Sequence, residues 1–315
     1  MSNILHCLNA NGVGGIQENV LNLFRHDRNN THSFWAADDG VMSDIMRREG
    51  MVVWSGGPPQ ELQDSHYYDV VVGNTVGGWS HLDLFRWAKD RGARTVEVMH
   101  SVAKSPTPPD LVDAFIGLNT LATNLNSQMK NRHTIYGIVD VDAFFQVDNP
   151  PYIGRLSRLV EEKRPFDFIR IAERYPNEKL SLAGDGPLYS RILSSAPLNV
   201  FMPGMIRDFV AYYSLLRLFV YTTTDDCCSV AVAMAMAAGV PCVVQDHPSL
   251  RETTGGNAVF CTTLDGFISE VGRFLNDPAS FSDMAHAGQE WVRQRFAPKI
   301  VVAQWQSVFD KVVSS

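Results

Sequence analysis

Two α/β domains, each built on an open parallel sheet, are what this sequence predicts, and three observations predict them. Short apolar, β-rich runs alternate with helical stretches along the chain. Several of these runs are continuously apolar, which is the pattern of strands buried on both faces by helices. The alternation halts at Asp148-Asn149-Pro150-Pro151 and then restarts. A Pro-Pro pair cannot continue a helix or sit in a central strand, so this segment reads as a linker. The length, 315 residues, fits two domains of roughly 150 residues each. Residues 1–148 are thus expected to form the first domain, and the second begins at 149.

In the first domain the predicted strands are 3–8, 33–37, 51–54, 69–72, 94–99, 114–118 and 134–139. Ile16, Val20, Leu23 and Phe24 fall on one helical face, and 81–90 is a second helix candidate. The gap from Trp54 to Asp69 is too short for a full crossover helix with its loops, which needs about a dozen residues or more. This half therefore reads as trimmed. In the second domain the strands are 152–156, 179–183, 199–202, 218–221, 242–245 and 258–261. The helices are 165–175, 209–216, 229–238, 264–275 and two near the C-terminus.

Composition excludes several classes. Apolar residues are 45% and charged residues 19%, which is globular and not disordered, collagen-like or coiled-coil. No apolar run reaches the roughly 18 residues of a membrane span. The N-terminus lacks a basic n-region and a long apolar core, so no secretory signal is expected and the setting is read as cytoplasmic. A net charge of -7 argues against a surface that coats nucleic acid. Five cysteines, Cys7, Cys227, Cys228, Cys242 and Cys261, have no regular spacing. They read as reduced thiols, with the vicinal Cys227–Cys228 pair either small apolar filler or a redox device. The nine His include no His-x-His, and no Cys-x-x-Cys occurs, so no structural zinc site is expected.

Ligands of open parallel sheets bind beyond the carboxyl ends of the strands, so the turns there carry the chemistry. Asn11-Gly12-Val13-Gly14-Gly15-Ile16 lies between the first strand and helix. Glycines there admit an anion to backbone N–H groups at a helix start. A dinucleotide fingerprint would need glycine at 17, where the chain has Gln17; Asp38 and Asp39 suit a ribose-binding acid. A ligand-free tight turn is the plainer alternative. Ala183-Gly184-Asp185-Gly186-Pro187 is a second strand-to-helix turn. A third runs through Asp226, Cys227, Cys228, Ser229 and Val230 into a small-residue helix that stops at Gly239 with Pro241 beyond. His100 ends a strand. Arg155, Arg158, Lys163 and Arg164 read either as a solvated face paired with Glu161 and Glu162 or as a clamp on a leaving diphosphate. Asp140-Val141-Asp142 is similar to a metal-binding Asp-x-Asp, but it sits beside the linker and is set aside.

In order along nearly the whole chain, these turns resemble the retaining glycosyltransferases of family 4. The segments that carry the resemblance are Gly14-Gly15-Ile16, His100, Gly137–Asp140 with Phe144, Arg158-Leu159 with Glu162-Lys163, Gly184-Asp185-Gly186-Pro187, Met236–Pro241 and Glu252. The match at Gly137-Ile138 is loose. The resemblance implies the GT-B fold: two Rossmann-like domains facing each other across a cleft. It also implies a C-terminal helix, 299–315, that returns from the nucleotide-sugar domain, 149–298, to the acceptor-side domain. By the same resemblance Gly14 and Gly15 lie near the donor phosphates. Arg158 and Lys163 hold the diphosphate with Gly184 and the backbone at Ser229 and Val230, and His100 and Asp226 orient the sugar. The family carries two Glu separated by seven residues; here those positions are Asp226 and Met234. Methionine offers little to a ribose hydroxyl. Losing a charged acceptor would cost about 1.5–3 kcal/mol per hydrogen bond.

The expected activity is retaining transfer of a sugar from a UDP- or GDP-sugar to a hydroxyl of a glycan, lipid-linked glycan or small molecule. No metal and no prosthetic group are expected. Two alternatives are open. One is a transferase acting on hydroxymethylated DNA bases, with Lys130-Asn131-Arg132-His133 near phosphates. The other is a non-catalytic binding protein on the same scaffold, motivated by Met234. The donor base, the acceptor and the oligomeric state are not legible in the sequence.

Overall fold

The computed structural model describes residues 1–8, 14–56, 67–76, 81–224 and 226–315. Asn11, Gly12 and Val13 of the glycine turn, and most of the 55–68 connection, lie outside the described residues. The chain divides into two compact units, Met1–Ile138 with Pro298–Ser315, and Val139–Ala297.

Among the described residues, unit 1 holds seven strands: β1 Asn3–Leu8, β2 Thr31–Ala36, β3 Val52–Ser55, β4 Val70–Thr75, β5 Arg94–Met99, β6 Ala114–Gly117 and β7 Arg132–Thr134. Their order is β3-β2-β1-β4-β5-β6-β7, with every described pairing parallel. Helices α1 Gly15–His26, α2 Val41–Arg48, α3 Leu82–Asp90 and α4 Thr120–Leu125 cover the sheet. Strand β4 is buried at all six positions, as a central parallel strand must be.

Unit 2 repeats the plan. Its strands are β8 Tyr152–Leu156, β9 Leu180–Ala183, β10 Val200–Gly204, β11 Leu216–Tyr221, β12 Cys242–Gln245 and β13 Val259–Cys261, in the order β10-β9-β8-β11-β12-β13. Its helices are α5 Pro165–Arg174, α6 Tyr189–Ser195, α7 Phe209–Ser214, α8 Val230–Ala237, α9 Pro248–Thr254, α10 Leu264–Asn276 and α11 Ser282–Arg295. Its core packs Ile153, Phe168, Ile171, Leu182, Leu218, Val243 and Phe267. The last helix, α12 Pro298–Ser314, belongs to unit 1. Among the described residues no helix is long and apolar enough to cross a membrane.

Both sheets are doubly wound, with the strand order reversing between β1 and β4 and between β8 and β11. These are the topological switch points, where the loops after the central strands diverge and leave a crevice.

The structure corrects the sequence reading in four places. The seventh strand is Arg132–Thr134 and not 134–139. Ile135, Ile138 and Val139 are buried, but the Ile138 N–H donates to Asn19 Oδ1 and the Val139 N–H to the Phe296 carbonyl. Past Ile135, whose N–H still donates to the Gly117 carbonyl of β6, burial is by packing and not by sheet pairing. The helix expected to reach 216 ends at Ser214, because Leu216 pairs with Tyr152 as a strand residue. Helices α2, α4, α6 and α9 are present where no helix was named. The boundary between units falls at Ile138/Val139, before the prolines. Val139 is bonded to Phe296, and the Val147 N–H donates to the Ser214 carbonyl, so the segment ahead of Pro150 is already part of unit 2.

Candidate active site

The loops that follow β8 and β11 meet at the switch point of unit 2. After β8 the chain runs through Ser157 and Arg158 to a short 3-10 turn, Glu161–Lys163, and then to Arg164 and Pro165 at the start of α5. After β11 it runs through Thr222 and Thr223 to Asp226 and the start of α8. The two loops are tied together: Thr223 Oγ1 donates to the Glu162 carbonyl (3.4 Å) and Thr222 Oγ1 to the Arg164 carbonyl (3.2 Å).

This brings together Lys163 and Asp226, which are 63 positions apart in the chain and 3.6 Å apart at Nζ and Oδ2. The carboxylate is held on both oxygens. Tyr221 Oη donates to Oδ2 at 2.7 Å, and the Cys227 N–H donates to Oδ1 at 3.1 Å. Burial first, and then the neighbouring Asp226 charge, push the Tyr221 phenol well above its usual range, so it stays a donor. Arg158 is mostly exposed, 3.9 Å from Glu162, and an exposed pair at that distance is worth little. Its guanidinium remains on the surface of the loop.

Arg155, read from sequence as part of a basic clamp, is not on that surface. It is completely buried, and its guanidinium donates to Thr222 Oγ1 and the Lys163 carbonyl. The four basic residues shared one reading as a stretch, from which only the family resemblance singled out Arg158 and Lys163. The strand register separates them, because Arg155 is a residue of β8 paired with Leu182. Arg164 is paired with Asp167 at 2.6 Å.

The glycine turn at 184–187 is pressed onto the β8 loop. A Cβ built on Gly184, at φ +119°, would lie 1.9 Å from the Ser157 carbonyl oxygen, and one on Gly186 would lie 2.7 Å from that of Leu159. Glycine is required here by backbone approach, and the turn fixes the height of the Arg158 loop. At α8, Ser229 is the N-cap, its hydroxyl accepting from the Val232 N–H at 3.5 Å. The Val230 N–H is bonded to the Cys228 carbonyl. Met234 is buried, 7% exposed, inside that helix. In unit 1, Gly14 is the N-cap of α1 and Gly15 its first residue. Nothing lies within 4 Å of a Cβ built on Gly15, so packing among the described residues does not demand glycine there.

His100, just past β5, is also built in. Its Nε2 lies 2.9 Å from Asn74 Oδ1 on β4. The Asn74 amide is oriented by its Nδ2–H, which donates to the Cys7 carbonyl at 3.2 Å. Oδ1 is therefore the acceptor, Nε2 carries the hydrogen, and Nδ1 is left with its lone pair. Burial pushes the imidazole down to about 3, so it is neutral near pH 7. The loop after His100 is fastened by Glu97, a fully buried carboxylate that accepts from Thr75, Ser105 and Thr107 at 2.8–2.9 Å. Burial raises its pKa. Asn74, Glu97 and Tyr221 were missed from sequence; the only available signal was a polar residue inside an otherwise apolar strand. Lys130–His133, read from sequence as a phosphate patch, is partly engaged internally: Arg132 donates to the Thr123 carbonyl, and His133 is hydrogen-bonded to Asn131. Among the described residues no group of three His, Cys, Asp or Glu is placed to hold a metal ion.

Residues 150–277 match the family described as glycosyl transferases group 1. The matched stretch lies wholly within unit 2. The Lys163–Asp226 pair, the Gly184 turn and α8 all lie inside it. Among curated proteins, an exopolysaccharide phosphotransferase of Streptomyces coelicolor is 26% identical over 161 residues, 47% of this chain. The chain spans 17% of that relative's length. Among solved structures, HepE of Anabaena in complex with UDP and glucose matches with a TM-score of 0.83 at 16% identity, over 99% of this chain and 100% of that one. A glycosyltransferase from Rickettsia africae matches at 0.81 and 11% identity, over 99% and 98%. The pneumococcal O-GlcNAc transferase GtfA, in complex with UDP and GlcNAc, matches at 0.77 and 12% identity, over 100% and 99%. The fold is GT-B, with two Rossmann-like parallel-sheet domains.

Proposed function

We propose that this chain is a retaining glycosyltransferase that takes a sugar from a nucleoside-diphosphate sugar, a UDP- or GDP-sugar in particular, to a carbohydrate hydroxyl. The observation that carries the reading is the meeting of Lys163 and Asp226 at the switch point of unit 2, inside the stretch that matches the group 1 family. A cation beside a carboxylate there matches a donor whose diphosphate needs neutralising and whose sugar needs a hydroxyl acceptor. The complexes of HepE with UDP-glucose and of GtfA with UDP and GlcNAc support the donor class. The Streptomyces relative's name supports a glycan acceptor.

In this reading Lys163 leaves Asp226 for the diphosphate, joined by exposed Arg158 and by the backbone N–H groups of Ser229 and Val230, the latter giving up its bond to Cys228. Gly184 shapes the floor, and Asp226 takes sugar hydroxyls as acceptor. Gly14, Gly15 and His100 keep the roles that the family resemblance implies for them, toward the donor phosphates and the sugar. The chemistry is departure of the diphosphate on the face that the acceptor attacks, so the leaving phosphate takes the acceptor's proton and the anomeric configuration is kept. Arg158 and Lys163 supply the neutralisation, and no metal is needed for it. Met234 cannot grip a ribose through charge, so donor affinity is expected to be modest.

The test is a panel of UDP-, GDP-, ADP- and dTDP-sugars, read by calorimetric binding, by release of nucleoside diphosphate and by the anomeric configuration of the product. Lys163→Ala should raise the dissociation constant by about ten- to a hundredfold, from roughly 1.5–3 kcal/mol per charge-assisted bond. No binding of any nucleotide sinks the proposal. Binding without turnover from any donor favours the non-catalytic reading that Met234 motivates.

A further inference from the structure

Arg155 is a cation at full burial, with no carboxylate at ion-pair distance among the described residues. It is surrounded by dipoles. It donates to Thr222 Oγ1 and to the Lys163 carbonyl, and its longer contacts reach Ser157 Oγ (3.4 Å) and the Arg164 carbonyl (3.5 Å). Its guanidinium carbon sits 5.6 Å from the centre of the Tyr221 ring. Burying an unpaired charge is costly, and cores replace such charges with apolar residues at little or no loss of stability. Stability therefore does not account for it.

What it touches does. Arg164 has φ 50° and ψ 50°, a left-handed conformation at a non-glycine residue immediately before proline. That conformation is strained for a residue with a side chain and persists only where the surroundings over-determine it. Arg155 reaches the Lys163 and Arg164 carbonyls, one on each side of the Arg164 Cα. The contacts close into a ring: Arg155 to the Lys163 backbone, Lys163 Nζ to Asp226, Asp226 to Tyr221 Oη, and the Tyr221 ring back to Arg155.

We infer that Arg155 is a positioning residue, a buried fastener that holds the strained 163–164 turn and so delivers Lys163 to Asp226 at the donor site. The inference rests on the donor reading of Lys163. Arg155 itself touches no substrate. It acts by holding the loop in one conformation, so the cost of ordering that loop is met on folding and not on binding.

The test uses the full chain with Arg155→Met, Arg155→Lys and Lys163→Ala. They are read by amide hydrogen exchange without nucleotide and by titration with UDP and GDP. Arg155→Met should keep or raise the melting temperature while exchange across 157–166 accelerates and the nucleotide dissociation constant rises about tenfold, within the range for directly contacting residues. Arg155→Lys, with one donor head, should fall between wild type and Arg155→Met and serves if the methionine variant does not fold. Adding Arg155→Met to Lys163→Ala should weaken binding no further than Lys163→Ala alone. Unchanged exchange across 157–166 in both variants overturns the inference whether or not nucleotide binds. So does unchanged nucleotide affinity in Arg155→Met where Lys163→Ala has lost it. If wild type binds neither nucleotide, the donor reading falls, and the exchange result alone decides the fastening role.

Discussion

His100 and His81 are the residues whose surroundings make the clearest statement about pH. Burial pushes His100 down to about 3 and His81 to about 4, below the ordinary imidazole value of 6.5. The unfolded chain therefore takes up protons first as pH falls. The stability these residues contribute is complete above about 6.5 and is lost as pH drops toward 3–4. The melting temperature should fall on acidification from pH 7 to 4.5, and His100→Gln, which cannot take the proton, should flatten that curve. A rate profile measured between pH 5 and 8 should show no inflection from His100. At this scale the sequence showed which residue types stood at the strand ends. It did not show that Asn74 selects the His100 tautomer or that Tyr221 holds Asp226, because both partners come from strands or loops distant in the chain or from an unpredictable turn.

Elements place these residues through two devices, caps and close approach. Ser229 caps α8, as Asn119 caps α4 with a 2.7 Å bond from the Ala122 N–H and Asp208 caps α7. The Gly184 turn is different in kind, since its φ of +119° and its contact with the Ser157 carbonyl exclude any side chain. Gly184→Ala should destabilise unit 2 by about 2–4 kcal/mol in urea denaturation. Ser229→Ala should cost about 1 kcal/mol. If Gly184→Ala proves as mild as the cap variant, the 157–159 backbone yields more than this packing implies. Most strands were legible because continuous apolar runs report burial on both faces. The seventh strand was misplaced for the same reason, because Ile138 and Val139 are apolar and buried yet bonded to side chain and loop instead of a neighbouring strand.

For the molecule as a whole, the notable feature is that unit 1 is made from both ends of the chain. Helix α12 buries Val301, Trp305, Val308 and Phe309, and its Gln306 donates to Asp27 Oδ1 at 2.9 Å. Burial opposes charge on Asp27, but hydrogen bonds from His32, Asn30 and Gln306 outweigh it and hold the carboxyl well below its usual range. His32 continues inward to His6, Nδ1 to Nε2 at 3.0 Å, and the His6 ring packs edge-on to Trp305. Trp305→Ala should cost unit 1 about 3–5 kcal/mol. Hydrogen exchange should show the loss in α1 and α12 and leave the strands of unit 2 protected. Equal loss in both units would mean that they unfold as one.

Periodicity and the restart of the α/β pattern were enough to determine two parallel-sheet α/β domains, because local patterning follows directly from which faces are buried. The order of the turns named Lys163 and Asp226 as candidates without showing that they meet. The tertiary structure decided what depends on register and long-range approach. It sent Arg155 inward and left Arg158 outward, though both are arginines in one basic stretch. It drew Lys163 to Asp226 across 63 residues. Side-chain direction on a strand alternates with a period of two, and a loop's path is set by what its backbone is bonded to. Neither is a property of the residue alone.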